Sequence, residues 1–148
     1  MDKRRIGPMI KRIHWGLDKK FNDYLKEYDL TFAQANILRF VKSNNLNGKI
    51  VTQRDIEKYL NASNPTVSGL LDRLEDKGYI RRIIDDKDAR RRIIVTTEKS
   101  ANFDVEMMAK LDSFQDLILQ DLSLKQQDEL FEMLDMITKR IKEIEGGM

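Results

Sequence analysis

The chain has no cysteine, which removes disulfides, thiolate metal sites, a cysteine nucleophile and any thiol-based switch from its chemistry. It has a single histidine, His14, inside a helical pattern and beside Trp15. A metal site needs several ligands at suitable spacing, so packing or capping is the role read for His14. There is no glycine-rich phosphate loop, no G-x-S-x-G and no acid pair in an apolar surround, so neither an enzyme nor a cofactor is expected. No apolar run reaches the roughly 18 to 20 residues of a membrane-spanning helix, and charge interrupts the first 20 residues too often for a signal peptide. These absences predict a soluble, cytoplasmic protein without a membrane partner. Its 148 residues suffice for one domain, or two closely joined parts, with a real core.

What the chain has in quantity is charge, unevenly distributed. Residues 1–102 hold 22 Lys+Arg against 14 Asp+Glu, net +8, whereas residues 103–148 hold 5 against 11, net −6. One end suits a polyanion and the other repels it.

Apolar spacing predicts five helices and a hairpin before the last helix is reached. Ile10, Ile13, Leu17, Phe21, Tyr24 and Tyr28 recur at steps of three and four, as in a long helix burying one stripe. Thr31 and Gln34 form a capping box ahead of Ala35, Ile37, Leu38 and Val41, and the run Asn44 to Gly48 stops that helix. Thr52 caps a short third helix carrying Ile56, Tyr59 and Leu60, which Asn61-Ala62 breaks. Ser63 caps a fourth, with Pro65 tolerated in its first turn and Gly78 as a left-handed stop. Its stripe of Val67, Leu70, Leu71 and Leu74 leaves Pro65, Thr66, Ser68, Gly69, Asp72, Arg73 and Asp76 on the opposite face. Tyr79–Ile84 and Arg92–Thr96 read as two strands around a tip of turn-forming aspartates. A helix from about Thr97 to Leu122 follows, then one from Leu124 with Ser123 and Gln126 as its capping box. Along the last, Leu130, Leu134, Ile137, Ile141 and Ile144 keep the 3.5-residue spacing of helices that share a seam. The methionines Met107, Met108, Met133 and Met136 are read as core packing, with the lining of an adaptable ligand pocket as the alternative.

Three short helices followed by a hairpin is the order of a winged helix-turn-helix, whose third helix enters the DNA major groove while the hairpin reaches an adjacent groove or backbone. The predicted fold class is thus mainly α with a small β-hairpin wing, a winged helix-turn-helix flanked by long dimerisation helices. Residues 1–29 are the N-terminal dimerisation helix, 30–99 the DNA-binding module and 100–148 a C-terminal helical dimerisation region. A helix entering a groove about 12 Å wide needs an outward face without bulk and groups for phosphates and base edges. Ser63, Asn64, Thr66 and Ser68 supply them at the positive helix N-terminus, Gly69 permits close approach, and Arg73 has the reach for guanine or phosphate.

The chain resembles the MarR family of transcriptional regulators. The likeness lies in Leu30-Thr31-Phe32-Ala33-Gln34, in VTQRDIEKYLNASNPTVSGLLDRLEDKGYIRR (Val51 to Arg82), and in Asp88-x-Arg90 followed by Ile93, Val95 and Thr96-Thr97-Glu98-Lys99. The resemblance implies a homodimer that binds pseudo-palindromic double-stranded DNA and represses nearby genes. It also implies release by a small phenolic or lipophilic effector held between the dimerisation helices and the winged module. Other members use cysteine oxidation, a route closed here. It places Ser63, Asn64, Pro65, Thr66, Ser68, Gly69 and Arg73 on the recognition helix. At the wing it places Asp88 and Arg90, with Arg90 as a minor-groove probe aimed by Asp88; Lys87, Arg91 and Arg92 beside them are read as cations available for phosphates. Ile10, Ile13, Leu17, Leu134, Ile137, Ile141 and Ile144 form the expected dimer seam. The loop Asn44 to Lys49 is slightly longer than the family pattern. The alternative reading is a winged-helix module used only for protein contacts.

Overall fold

The computed structural model describes residues 3–147. Its elements run α1 (Ile6–Glu27), α2 (Phe32–Leu46), β1 (Val51–Thr52), α3 (Gln53–Leu60), α4 (Asn64–Asp76), β2 (Ile80–Asp85), β3 (Asp88–Thr96), α5 (Glu98–Ile118) and α6 (Leu124–Gly146). Three capping boxes form where hydroxyl and N3 partner stand three residues apart: Thr31 with Gln34, Thr52 with Asp55, and Ser123 with Gln126. Each satisfies two backbone donors that a helix start otherwise leaves open. Asn61 ends α3 at φ +49°, and Gly78 follows α4 at φ +81°, so both turns around the recognition segment use left-handed residues.

Two compact units divide at Met108/Ala109, within α5. The core of the first takes Ala35, Ile37, Leu38 and Val41 from α2, Ile56 from α3, and Val67, Leu71 and Leu74 from α4. Ile80 and Ile94 come from the sheet, and Phe103 and Met107 from the start of α5. Fully burying such a side chain contributes about 1.5 to 3 kcal/mol. Tyr79 joins this core with its hydroxyl donating to the Tyr28 carbonyl at 3.2 Å and its ring edge-on to Phe103.

The sheet departs from the expected hairpin in two ways. Its strand order is β1-β3-β2, because Val51 and Thr52 pair with Ile94 and Ile93. A two-residue strand carries no periodicity, so it left no signal. The wing is also longer than expected: β3 begins at Asp88 instead of Arg92, leaving Asp86 and Lys87 at the tip. Poor strand formers such as Asp and Arg are carried by the ladder with β2, which pairs Ile84 with Arg92 and, past an irregularity at Ile84/Asp85, Asp85 with Asp88.

Helix α1 buries only Leu25, and α6 buries nothing within the chain. The stripe expected to be covered along α1 is instead exposed at Ile10, Ile13 and Leu17, and the α6 seam residues Leu134, Ile137, Ile141 and Ile144 are exposed as well. Of the methionines read as core, Met107 is buried while Met108, Met133 and Met136 are half or more exposed. Helical period reveals which face is apolar, not whether the chain itself covers that face. His14 neither packs nor caps: its Nε2 lies 3.0 Å from Asp18 Oδ2 on the exposed side of α1, a bond between side chains one helical turn apart. Among the described residues no group of three or more His, Cys, Asp or Glu is arranged to hold a metal, and no helix is long and apolar enough to cross a membrane.

Candidate nucleic-acid interface

Helix α4 presents its N-terminal turn outward. Ser63 caps it by accepting the Thr66 amide, and the two hydroxyls lie 3.0 Å apart. Ser63, Asn64, Pro65, Thr66 and Arg73 are exposed, while Ser68 and Gly69 are half-buried on the same helix. The opposite face holds Val67, Leu71 and Leu74 with no accessible surface. The open amides and dipole at this terminus favour an anion, and the side chains around it are short. Arg73, one turn before the helix end, makes no ion pair among the described residues.

Two contacts from α3 reach this face. Gln53 Nε2 donates to Ser68 Oγ at 3.1 Å, and Asn64 Nδ2 donates to Glu57 Oε1 at 2.7 Å. Neither appears in the sequence as a spacing, since the partners lie 15 and 7 residues apart across a turn.

The wing separates its charges by job. Asp85 accepts the Lys87 amide at 2.9 Å, closing the tip, and its other oxygen is 3.3 Å from Arg91 Nη1. Asp88 accepts the Arg90 amide at 3.0 Å, and the same oxygen is 3.5 Å from Arg90 Nε. The Arg90 side chain is otherwise free, at 95% exposure. Arg92 donates to the Ala89 carbonyl at 3.0 Å. Thus Arg91 and Arg92, expected to be available for phosphates, each begin from an internal partner, and Arg90 projects furthest into solvent.

One pairing with no spacing signature in the sequence joins β2 to α4. Arg82 on β2 places Nη2 2.6 Å from Asp72 and 3.0 Å from Glu75, both on α4, while its backbone amide donates to the second Glu75 oxygen at 2.9 Å. The Arg82 guanidinium, followed by its amide, holds the Glu75 carboxyl below the usual glutamate range, and Glu75 in turn raises Arg82. The only sequence signal was an arginine in a strand adjacent to an acidic helix face.

Residues 28–91 match the MarR family model. Over 117 residues the chain is 28% identical to the HTH-type transcriptional regulator SarZ of Staphylococcus haemolyticus, covering 78% of this chain and 75% of that protein. Among solved structures, a point mutant of Staphylococcus aureus MepR superposes with a TM-score of 0.82 at 25% identity, covering 93% of this chain and 99% of MepR. A second MepR mutant, bound to an oligodeoxyribonucleotide, gives 0.75 at 25% identity, over 94% and 99% of the two chains.

Proposed function

We propose, from the premise that this chain belongs to the MarR family of DNA-binding transcriptional regulators, that it acts as a homodimeric repressor of a pseudo-palindromic operator. One α4 enters each of two successive major grooves, with half-sites about one helical turn, roughly 10 base pairs, apart. The observation that carries the reading is the exposed polar start of α4 together with a wing arginine that is 95% exposed and backed by Asp88. Ser63, Asn64, Thr66, Ser68 and Arg73 serve phosphates and base edges, while Pro65 and Gly69 keep the helix slim. Arg90 enters the minor groove, where narrow A·T-rich sequence concentrates negative potential. Lys87, Arg91 and Arg92 meet backbone phosphates. The dimer forms through α1 and the last two helices, which matches their uncovered apolar stripes. Release by a small aromatic or lipophilic effector, and a cytoplasmic location, complete the reading.

Anisotropy titrations of the protein onto its own upstream intergenic DNA at two salt concentrations test it. The logarithm of the binding constant should fall with log salt, with a slope set by the number of phosphates neutralised. Absent or salt-independent binding would favour a winged-helix module devoted to protein contacts.

A further inference from the structure

We propose that Gln53 of α3 sets the hydrogen-bond polarity of the recognition helix, so that Ser68 meets DNA as a donor; the proposal rests on the DNA-binding reading above and adds a specificity-determining positioning residue to it. A serine hydroxyl has one proton and two acceptor lone pairs. The Gln53 carboxamide donates into one of those lone pairs at 3.1 Å. The hydroxyl proton is not spent in that bond, and Ser68 makes no other hydrogen bond among the described residues. Both side chains are half-buried at the α3–α4 contact, so water competes less for the bond than on open surface. The proton therefore points outward, toward acceptors: guanine N7 or O6, adenine N7, or thymine O4. The cytosine N4 amino group, a donor, is disfavoured at that position.

The same helix treats Asn64 similarly. One N–H of its carboxamide is anchored on the Glu57 carboxylate at 2.7 Å, a group that only accepts. Its oxygen and second N–H remain, the pair that reads adenine N6 and N7. Helix α3 thus pre-orients two polar groups of α4 before DNA arrives, which removes part of the ordering cost of binding.

Single-base variants of a half-site, measured at constant salt with the full-length protein, test the Gln53 role. Gln53→Met keeps length and neutrality and deletes the donor. Gln53→Met and Ser68→Ala should each reduce discrimination at one and the same base pair by about two- to tenfold, the size of one neutral hydrogen bond. The double variant should lose no more than either single one, and the salt slope should not change, because no phosphate contact is removed. Wild-type preferences in Gln53→Met, no effect of Ser68→Ala, or additive losses at different base pairs would overturn the proposal. A DNA-free readout holds even if Gln53→Met folds poorly: the Gln53 carboxamide resonances should move in Ser68→Ala, and unmoved resonances overturn it. Wild-type protein that shows no salt-dependent DNA binding would overturn the functional reading itself, and the proposal with it.

Discussion

Gly69 sits inside α4, where no described residue beyond its chain neighbours and its own helix backbone comes within 4 Å of the Cβ it lacks. Internal packing therefore does not demand glycine, and a glycine inside a helix costs about 0.5 to 1 kcal/mol relative to alanine. On the proposed function, close approach of the α4 backbone to DNA would supply a reason. Gly69→Ala should stabilise the protein by about that amount in denaturant titration while weakening operator binding. Stabilisation with unchanged affinity would refute the close approach. Arg90 makes the sharper case, since its only side-chain partner among the described residues is Asp88 at 3.5 Å and its side chain is almost wholly exposed. Its removal should leave stability within about 0.5 kcal/mol of wild type and cost about 1 to 3 kcal/mol of operator affinity. Equal affinity of Arg90→Ala in the same anisotropy assay would exclude the wing tip from the interface. Both residues were legible in the sequence as candidates. What the sequence did not reveal was that Arg91 and Arg92 carry internal partners, because a β ribbon brings together residues whose alternation is hidden by an unbroken run of charge.

Elements were legible where their ends carry chemistry. Hydroxyl caps at Thr31, Thr52, Ser63 and Ser123, and the left-handed Gly78, put five helix boundaries within a residue or two of their observed places. Strand β1 and the Arg82 clamp were not legible, since each depends on segments distant in the chain meeting in space. The clamp makes α4 and β2 one mechanical piece, and its consequence is a pH dependence. Glu75 has a lowered pKa in the folded state, so it binds fewer protons there than when unfolded near the ordinary glutamate value of about 4.3. Its contribution is present above that value and is lost as pH falls through the lowered folded pKa. Thermal unfolding followed from pH 7 downward should show this acid limb, and Glu75→Gln should be less stable at pH 7 and should lack that part of the limb. A variant with the wild-type acid limb would show that the clamp does not contribute.

At the scale of the molecule, the uncovered faces dominate. Ile6, Met9, Ile10 and Ile13 on α1, and Phe131, Leu134, Ile137, Ile141 and Ile144 on α6, are all exposed in one chain. An exposed apolar stripe on a helix marks an interaction face, and a closed two-fold dimer is the commonest way to bury it. The protein should sediment as a dimer at micromolar concentration. Ile141→Asp should shift it toward monomer and weaken operator binding along with it, because two half-sites then bind independently. A wild-type monomer would refute the assembly.

The sequence alone determined the order of the helices and the hairpin, the apolar face of each helix, the winged helix-turn-helix and the residues that cluster on α4 and the wing. All of these are written in local periodicity, caps and turn residues. Tertiary structure decided which apolar stripes are covered within the chain and which stay exposed. It also decided that each wing arginine starts from an internal partner, with Arg90 almost wholly exposed, and which α3 side chains brace α4. Those outcomes depend on distances between segments far apart in sequence, and hydrogen-bond and ion-pair energies exist only once folding has closed those distances.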